Sequence, residues 1–322
     1  MKLGERIRRL LKEGQLDLPL PGSGQTPLRH RILAAFARED VSLARLVEAH
    51  ADAVSILKEA GQEPAKDALY GVWASEVPSE PLRLENYRVT GLKRFCSGAS
   101  IVDRALVTVR IPNQLLIDID LRENPGHISF SGSDWIATAF AETNTSTTTF
   151  DRISICESQI VGPAHWYLSR PGFWNGACGP AACWVGAAHG LVDHARAHAT
   201  DNPHNLAHLG AMQANIWAMY AALDSAGREM DLDPNNRSAS IVRALSLRHV
   251  VENLCSDVLD RFGRACGPRP LAFDRAISIR HQELNLYLRQ SHAERDLEVL
   301  GRQLSKPLTL VSRVNPFADV GT

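Results

Sequence analysis

The stretch VTGLKRFCSGASIVDRALVTVR, Val89–Arg110, opens as a glycine-punctuated polar run and closes in IVDRALVTVR, where apolar and polar side chains alternate. A period of two is the strand pattern. RALVTVR is followed by the turn-forming IPN and then by LLIDIDL, so these segments predict a hairpin. TTTFDRISI, β-branched and alternating, predicts a further strand. From about Ala68 to Gly162 the chain therefore reads as an antiparallel sheet or small barrel of several strands.

Outward from this centre the texture becomes helical. Leu43, Leu46, Val47, His50, Val54 and Leu57 fall on one helical face, with Asp40 suited to start the helix and Gly61 to stop it, after the lead-in LPLPGSGQTP. Beyond Pro171, GACGPAACWVGAAHGLVDHA is crowded with small residues that let helix axes approach closely. Long helical segments follow at Leu206–Met230, Ser238–Phe262 and Phe273–Leu300, the last ending at Gly301. The fold class is mostly α with a central β domain: a short N-terminal helical region (1–66), a β domain (67–163), and a C-terminal four-helix bundle with its tail (164–322).

Composition narrows the function. The 322 residues carry a formal net charge of −1, which gives no support for nucleic-acid or anionic-membrane partners. No apolar run approaches the roughly 20 residues of a membrane span, and MKLGERIRRLLKEGQL lacks the core of a signal peptide, so a cytoplasmic protein is expected. Arg-rich GERIRRLLK reads as a solvated amphipathic helix. Cys96, Cys156, Cys178, Cys183, Cys255 and Cys266 form no Cys-x-x-Cys pair and read as reduced, mostly packed thiols.

Several chemistries lack their motifs. A Walker loop, a Gly-x-Gly-x-x-Gly after a strand and a Gly-x-Ser-x-Gly elbow are absent, and the Gly-Ser-Gly at Gly22–Gly24 leads into no strand-to-helix turn. His189, His194, His198, His204 and His208 crowd one region, but their segment is polar throughout and no Glu-x-x-His occurs. A solvated helix end and loop is the reading, with no metal.

The order helices, β domain, four helices resembles the acyl-CoA dehydrogenase flavoprotein superfamily from about Leu28 to Gly301, as a divergent, shortened member. YGVWASEVP (Tyr70–Pro78) is similar to the family's first flavin-facing strand segment, and Gly91, Lys93, Phe95, Cys96 and Ser97 resemble its Gly-x-Lys-x-Trp-Ile-Thr. TTTFDRISICESQIVG resembles the strand that ends the β domain, and RPGFWNGACGPAACWVGAAHG the first bundle helix. The resemblance implies a bound flavin, FAD in the first instance, with Trp73, Ser75, Phe95 and Ser97 as cofactor contacts. A flat tricyclic ring needs an aromatic wall, and its polar edge needs hydrogen-bond partners.

The chain departs from the family at the base that removes a substrate α-proton. Leu288 and Arg289 stand where the family's Glu is expected, and Gly172–Asn175 hold no carboxylate at the alternative site. An Arg, with a pKa above about 12, deprotonates nothing near neutral pH. Glu283 and Glu294 are nearby and could serve as a displaced base, but exposed helix glutamates are the commoner case, so the catalytic residue stays unknown. Asn202 and Asn205 ahead of Gln213, and Arg264, Gly267 and Pro268, replace family motifs that hold the dinucleotide across subunits, which leaves FMN or no flavin open. The resemblance implies a flavin oxidoreductase acting on an acyl thioester or similar small molecule with an atypical base. A flavin monooxygenase or oxidase on the same fold, or a non-redox binding protein, are the alternatives. The small-residue helix and the family's shared cofactor sites imply a homo-oligomer, a dimer or tetramer.

Overall fold

The computed structural model describes residues 2–76, 79–124, 126–132 and 134–305. Three helices come first: α1 (Leu3–Lys12), α2 (Thr26–Glu39) and α3 (Val41–Glu59). The strands follow: β1 (Tyr70–Trp73), β2 (Arg83–Glu85), β3 (Arg88–Cys96), β4 (Arg104–Val109), β5 (Leu115–Asp120), β6 (Ile128–Ser131) and β7 (Ser146–Ser154). Short α4 (Trp166–Ser169) and α5 (Pro171–Gly176) lead to α6 (Cys178–Ala197), α7 (Pro203–Leu232), α8 (Arg237–Cys266), α9 (Pro268–Phe273), α10 (Arg275–Leu288) and α11 (Glu294–Leu304).

Asp40 starts α3 by accepting the Leu43 amide at 2.9 Å, and Gly61, at φ +73°, follows its end. Buried side chains run along α3 from Val41 to Leu57, because the helix is packed against β1 as well as α6. His50 on this helix accepts the Tyr70 amide through Nδ1 at 3.1 Å and so fixes the start of β1. The Gly-Ser-Gly loop serves the fold: the amides of Gly24 and Thr26, and the Thr26 hydroxyl, all bond the Asp231 carboxylate of α7.

The small residues of α6 have the packing role their pattern implies. A Cβ at Gly186 would lie 2.0 Å from the Ala34 carbonyl oxygen, so α2 and α6 touch backbone to backbone. Trp184, Val185, Ala187 and Ala188 around it are fully buried.

The strands form two sheets, ordered β1-β4-β5 and β2-β3-β7-β6. The hairpin β4–β5 pairs antiparallel with Val109 opposite Leu115. One pair departs from the antiparallel expectation: β1 runs parallel to β4, Tyr70 opposite Arg104. Strands β2 and β3 intervene in the chain, so no tight turn dictates the direction of that pairing.

The last helical segment is also not continuous. Helix α10 ends at Leu288, the amides of Arg289 and Gln290 tighten onto the Leu286 and Tyr287 carbonyls, and Ala293 takes φ +46° before α11 begins. Gly301 lies inside α11 rather than at its end. The Asp296 carboxylate accepts the His292 amide at 3.0 Å and its Nδ1 contact at 3.3 Å, which stabilises the break.

Candidate functional site

The turn after β3 holds the sequence's candidate residues. A register shift between Lys93 and Cys96 bulges β3 against β7 and puts Phe95 at φ +58°. A bulky residue in the left-handed region costs about 1 kcal/mol or more, so such positions are held by their surroundings and cluster at sites of function. The bulge turns the Phe95 ring outward, 62% exposed, with its face set edge-on to Trp135 at a centroid separation of 6.3 Å.

Beside this pair opens a cavity of about 360 Å³, lined by Ser100, Phe130, Trp135, Asn144, Thr145 and Ser146 among others. Its lining combines the rings of Phe130 and Trp135 with hydroxyls. The Ser146 Oγ is buried and without a hydrogen-bond partner, an unmet polar group at the cavity wall. Behind it, hydroxyls stand in file: Thr143 Oγ1 donates to the Phe140 carbonyl at 2.7 Å, Thr143 and Thr145 Oγ1 are 2.8 Å apart, and Thr145 Oγ1 is 3.1 Å from Ser97 Oγ.

The four candidates have different places here. Ser97 sits at the end of the hydroxyl file. Phe95 stands at the aromatic edge against Trp135, which lines the cavity. Trp73 is buried at 1% exposure and offers no open ring face; its Nε1 donates to the Ser97 carbonyl at 3.1 Å, so it acts on the turn through the backbone. Ser75 is half-buried just after β1, and like Phe95 and Ser97 it is not itself part of the cavity lining. Val77 and Pro78 of the same motif lie outside the described residues. Trp135, Asn144, Thr145 and Ser146 come from a segment whose only sequence signal is its richness in hydroxyls.

Glu283 overturns its reading as an exposed helix glutamate. It is 4% exposed, and its Oε1 accepts the Ser42 hydroxyl at 2.5 Å and the Phe140 amide at 3.2 Å. Burial pushes its carboxyl up to about 7, against the two hydrogen bonds that favour ionisation. Glu294 is exposed at the head of α11. At the positions where the family's base is expected, Leu288 is fully buried and Arg289 donates to Glu252 at 3.2 Å. Asn175 donates to the Pro234 carbonyl at 2.9 Å.

A second buried polar region fills the bundle side of α3. Glu48 accepts from Arg45 at 3.0 Å, and burial raises the carboxyls of both Glu48 and Asp52. Arg248 lies 4.8 Å over the Trp184 ring, and Arg45 5.7 Å over Tyr287.

The histidines do not converge as a metal centre; among the described residues no group of three or more His, Cys, Asp or Glu does. His189 contacts the Tyr220 hydroxyl at 3.2 Å, while His194 and His198 stack at 4.2 Å. The stacked pair lines a larger cavity of about 580 Å³ at the bundle's end, together with Asn205, Leu209, Arg269 and Phe273. The solvated helix end of the sequence reading is thus one wall of a hollow. No described helix is long and apolar enough to cross a membrane.

No protein-family model matches this sequence, and no curated protein does. Solved structures do match over nearly the whole chain. Dibenzothiophene monooxygenase TdsC from Paenibacillus sp. A11-2, solved with FMN and indole, superposes with a TM-score of 0.76 at 16% identity, over 94% of this chain and 95% of that one. KijD3, in complex with FMN and a dTDP-linked amino sugar, gives 0.78 at 14% identity, over 92% and 85%. The 3-HSA hydroxylase from Rhodococcus sp. RHA1 gives 0.72 at 14%, over 95% and 91%. The chain has the acyl-CoA dehydrogenase-like fold.

Proposed function

We propose that this acyl-CoA dehydrogenase-like chain is a flavin-dependent oxidoreductase that takes FMN and works as a monooxygenase or oxidase. The observation that carries this reading is the pairing of an aromatic, hydroxyl-lined cavity with the lack of a carboxylate at the family's base positions. Phe95 and Trp135 supply apolar walls for a flat ring, and Ser97, Thr145 and the unpartnered Ser146 Oγ supply polar contacts for its edge. Glu283 does not replace the missing base, because its Oε1 is engaged by the Ser42 hydroxyl and the Phe140 backbone amide. Dehydrogenation of an acyl thioester needs a base that reaches an α-proton; oxygen chemistry does not. Three solved proteins of this fold, one a monooxygenase, one a hydroxylase and two of them bound to FMN, support the same choice.

Bound flavin would supply hydride and electron transfer. The chain's own residues would orient the ring between Phe95 and the hydroxyl file, and the aromatic rim would limit water at its face.

A second copy of the chain fits this reading. Ala207, Gly210, Ala214, Trp217 and Ala221 make an uncharged exposed stripe on α7, with Trp217 73% exposed, next to the histidine-lined hollow. At that end the resemblance puts a neighbour's dinucleotide contacts, and the sequence there lacks the family's Arg, which favours FMN over FAD.

The test is reconstitution with FMN and FAD, anaerobic reduction, then mixing with oxygen or with an acyl-CoA panel. FMN uptake and rapid oxidation by oxygen without acyl-CoA are expected. Bleaching of the oxidised form by an acyl-CoA would restore the dehydrogenase reading, and failure to take up either flavin would leave a non-redox binding protein.

A further inference from the structure

The segment between β6 and β7 forms much of the cavity wall, yet its own backbone is unfavourable. Phe140 and Asn144, neither of them glycine, take φ +59° and +48°. Conformations of this kind persist only where the surroundings over-determine them. Those surroundings come from the helices. The Phe140 amide is received by Glu283, the Thr138 hydroxyl donates to Gln282 at 2.8 Å on the same turn of α10, and the Phe140 ring stands edge-on to Tyr287 at 5.6 Å. Glu283 is itself set in place by the Ser42 hydroxyl of α3.

From Phe140 the connection continues to the site. Its amide is held by Glu283 and its carbonyl is the acceptor that ends the file Thr143, Thr145, Ser97. One peptide thus joins a buried carboxyl of the bundle to the hydroxyls of the β-domain cavity.

We propose that Glu283 is a positioning residue for this cavity: by gripping the Phe140 amide it holds residues 138–146, and through them the Thr143–Thr145–Ser97 file, in the site's geometry. The geometry stands without any cofactor, and only the second measurement below rests on the flavin reading. The groups that act on Glu283 are Ser42 from α3, Asp40 at its cap, Arg280 from α10 and the Phe140 amide from the loop. Hydrogen bonds to an ionised carboxylate are roughly twice as strong as neutral ones. That gain is outweighed by the desolvation of the charge, which pushes the Glu283 carboxyl up to about 7, so ionisation near neutrality loosens the grip once an opening loop lets water reach the carboxylate.

Hydrogen exchange on the full chain without ligand, at pH 6 and pH 8 and corrected for intrinsic rates, tests the proposal. In wild type the Phe140 amide is expected to be less protected at pH 8 than at pH 6. Glu283→Gln should keep the loop protected, since its amide oxygen still accepts, and should erase the pH difference. Glu283→Leu should lose about tenfold or more of the protection at 138–146 while α7 stays unchanged. Wild-type protection in the Leu variant, or equal loss in every element, overturns the proposal. If the Leu variant does not fold, a pH difference that survives in the Gln variant overturns it alone. In FMN titrations, Glu283→Leu should bind several-fold more weakly and Glu283→Gln close to wild type; equal affinity in all three overturns the link to the site. Wild-type protein that binds no FMN removes the flavin reading and leaves the exchange result standing.

Discussion

Two polar regions flank α3, and they are built on opposite principles. On the bundle side the polar groups are ionisable, Arg45 with Glu48 and, further along, Asp52, set into an interior of Trp184 and Tyr287 where burial raises both carboxyls. On the β-domain side they are neutral hydroxyls beside an aromatic rim, and one, Ser146, is unpartnered. A buried ion is costly and tolerates no loss of its partner, whereas an orphaned hydroxyl costs little and leaves a bond to offer. The first region serves the fold and the second is suited to a ligand.

The largest expected effect tests the charged side. Arg45→Met leaves Glu48 buried without its nearest cation and should cost about 3–5 kcal/mol in urea unfolding; a loss under about 1 kcal/mol would mean that water already reaches the pair. Next comes the contact behind it. Gly186→Ala would gain up to about 1 kcal/mol in helix propensity, but the added Cβ meets the Ala34 carbonyl, and overpacking of about 1–3 kcal/mol should win. A stabilised variant would show that α2 and α6 can separate freely.

Glu283 lies between the two regions and should respond to pH. Its folded pKa of about 7 is above the ordinary 4.5, so between these values the folded chain holds more protons than the unfolded one. Stability is therefore lost as pH rises through that window. Glu283→Gln removes the loss: near wild type at pH 4.5, it should be more stable at pH 8 by about 1–3 kcal/mol. A difference that does not grow with pH would mean that Glu283 is not desolvated. The smallest effect belongs to the cavity. Phe95→Gly relieves the left-handed strain at the cost of an exposed ring, so stability should rise by about 1 kcal/mol or less while FMN affinity falls; unchanged affinity would remove Phe95 from the wall.

Much of the architecture was legible because it depends on neighbours in the chain. Asp40 and Gly61 bound α3 through their own side chain and φ, and IPN joins β4 to β5 across a short turn. The interruption after Leu288 was hidden, since HAERD has ordinary helix formers and the break depends on Asp296 reaching back to His292. The parallel β1–β4 pair was hidden because its partners are far apart in sequence.

The site divides along the same line. Phe95 and Ser97 stand in a glycine-bounded turn that the resemblance singles out, and they adjoin Trp135 and Thr145, which line the cavity. Trp73 is buried and reaches the same turn through the Ser97 carbonyl, and Ser75 lies just after β1, because strand alternation and sheet packing decide which side chains reach an opening. Alone, the sequence determined the order of helices and strands, the close-packing face of α6 and the lack of a carboxylate at 288–289. Only the tertiary structure decided that Glu283 is buried, that Ser42 and Phe140 meet on it, and that Thr145 approaches Ser97. Helical and strand periods state which residues share a face, whereas desolvation and hydrogen bonding depend on what a distant part of the chain brings to that face.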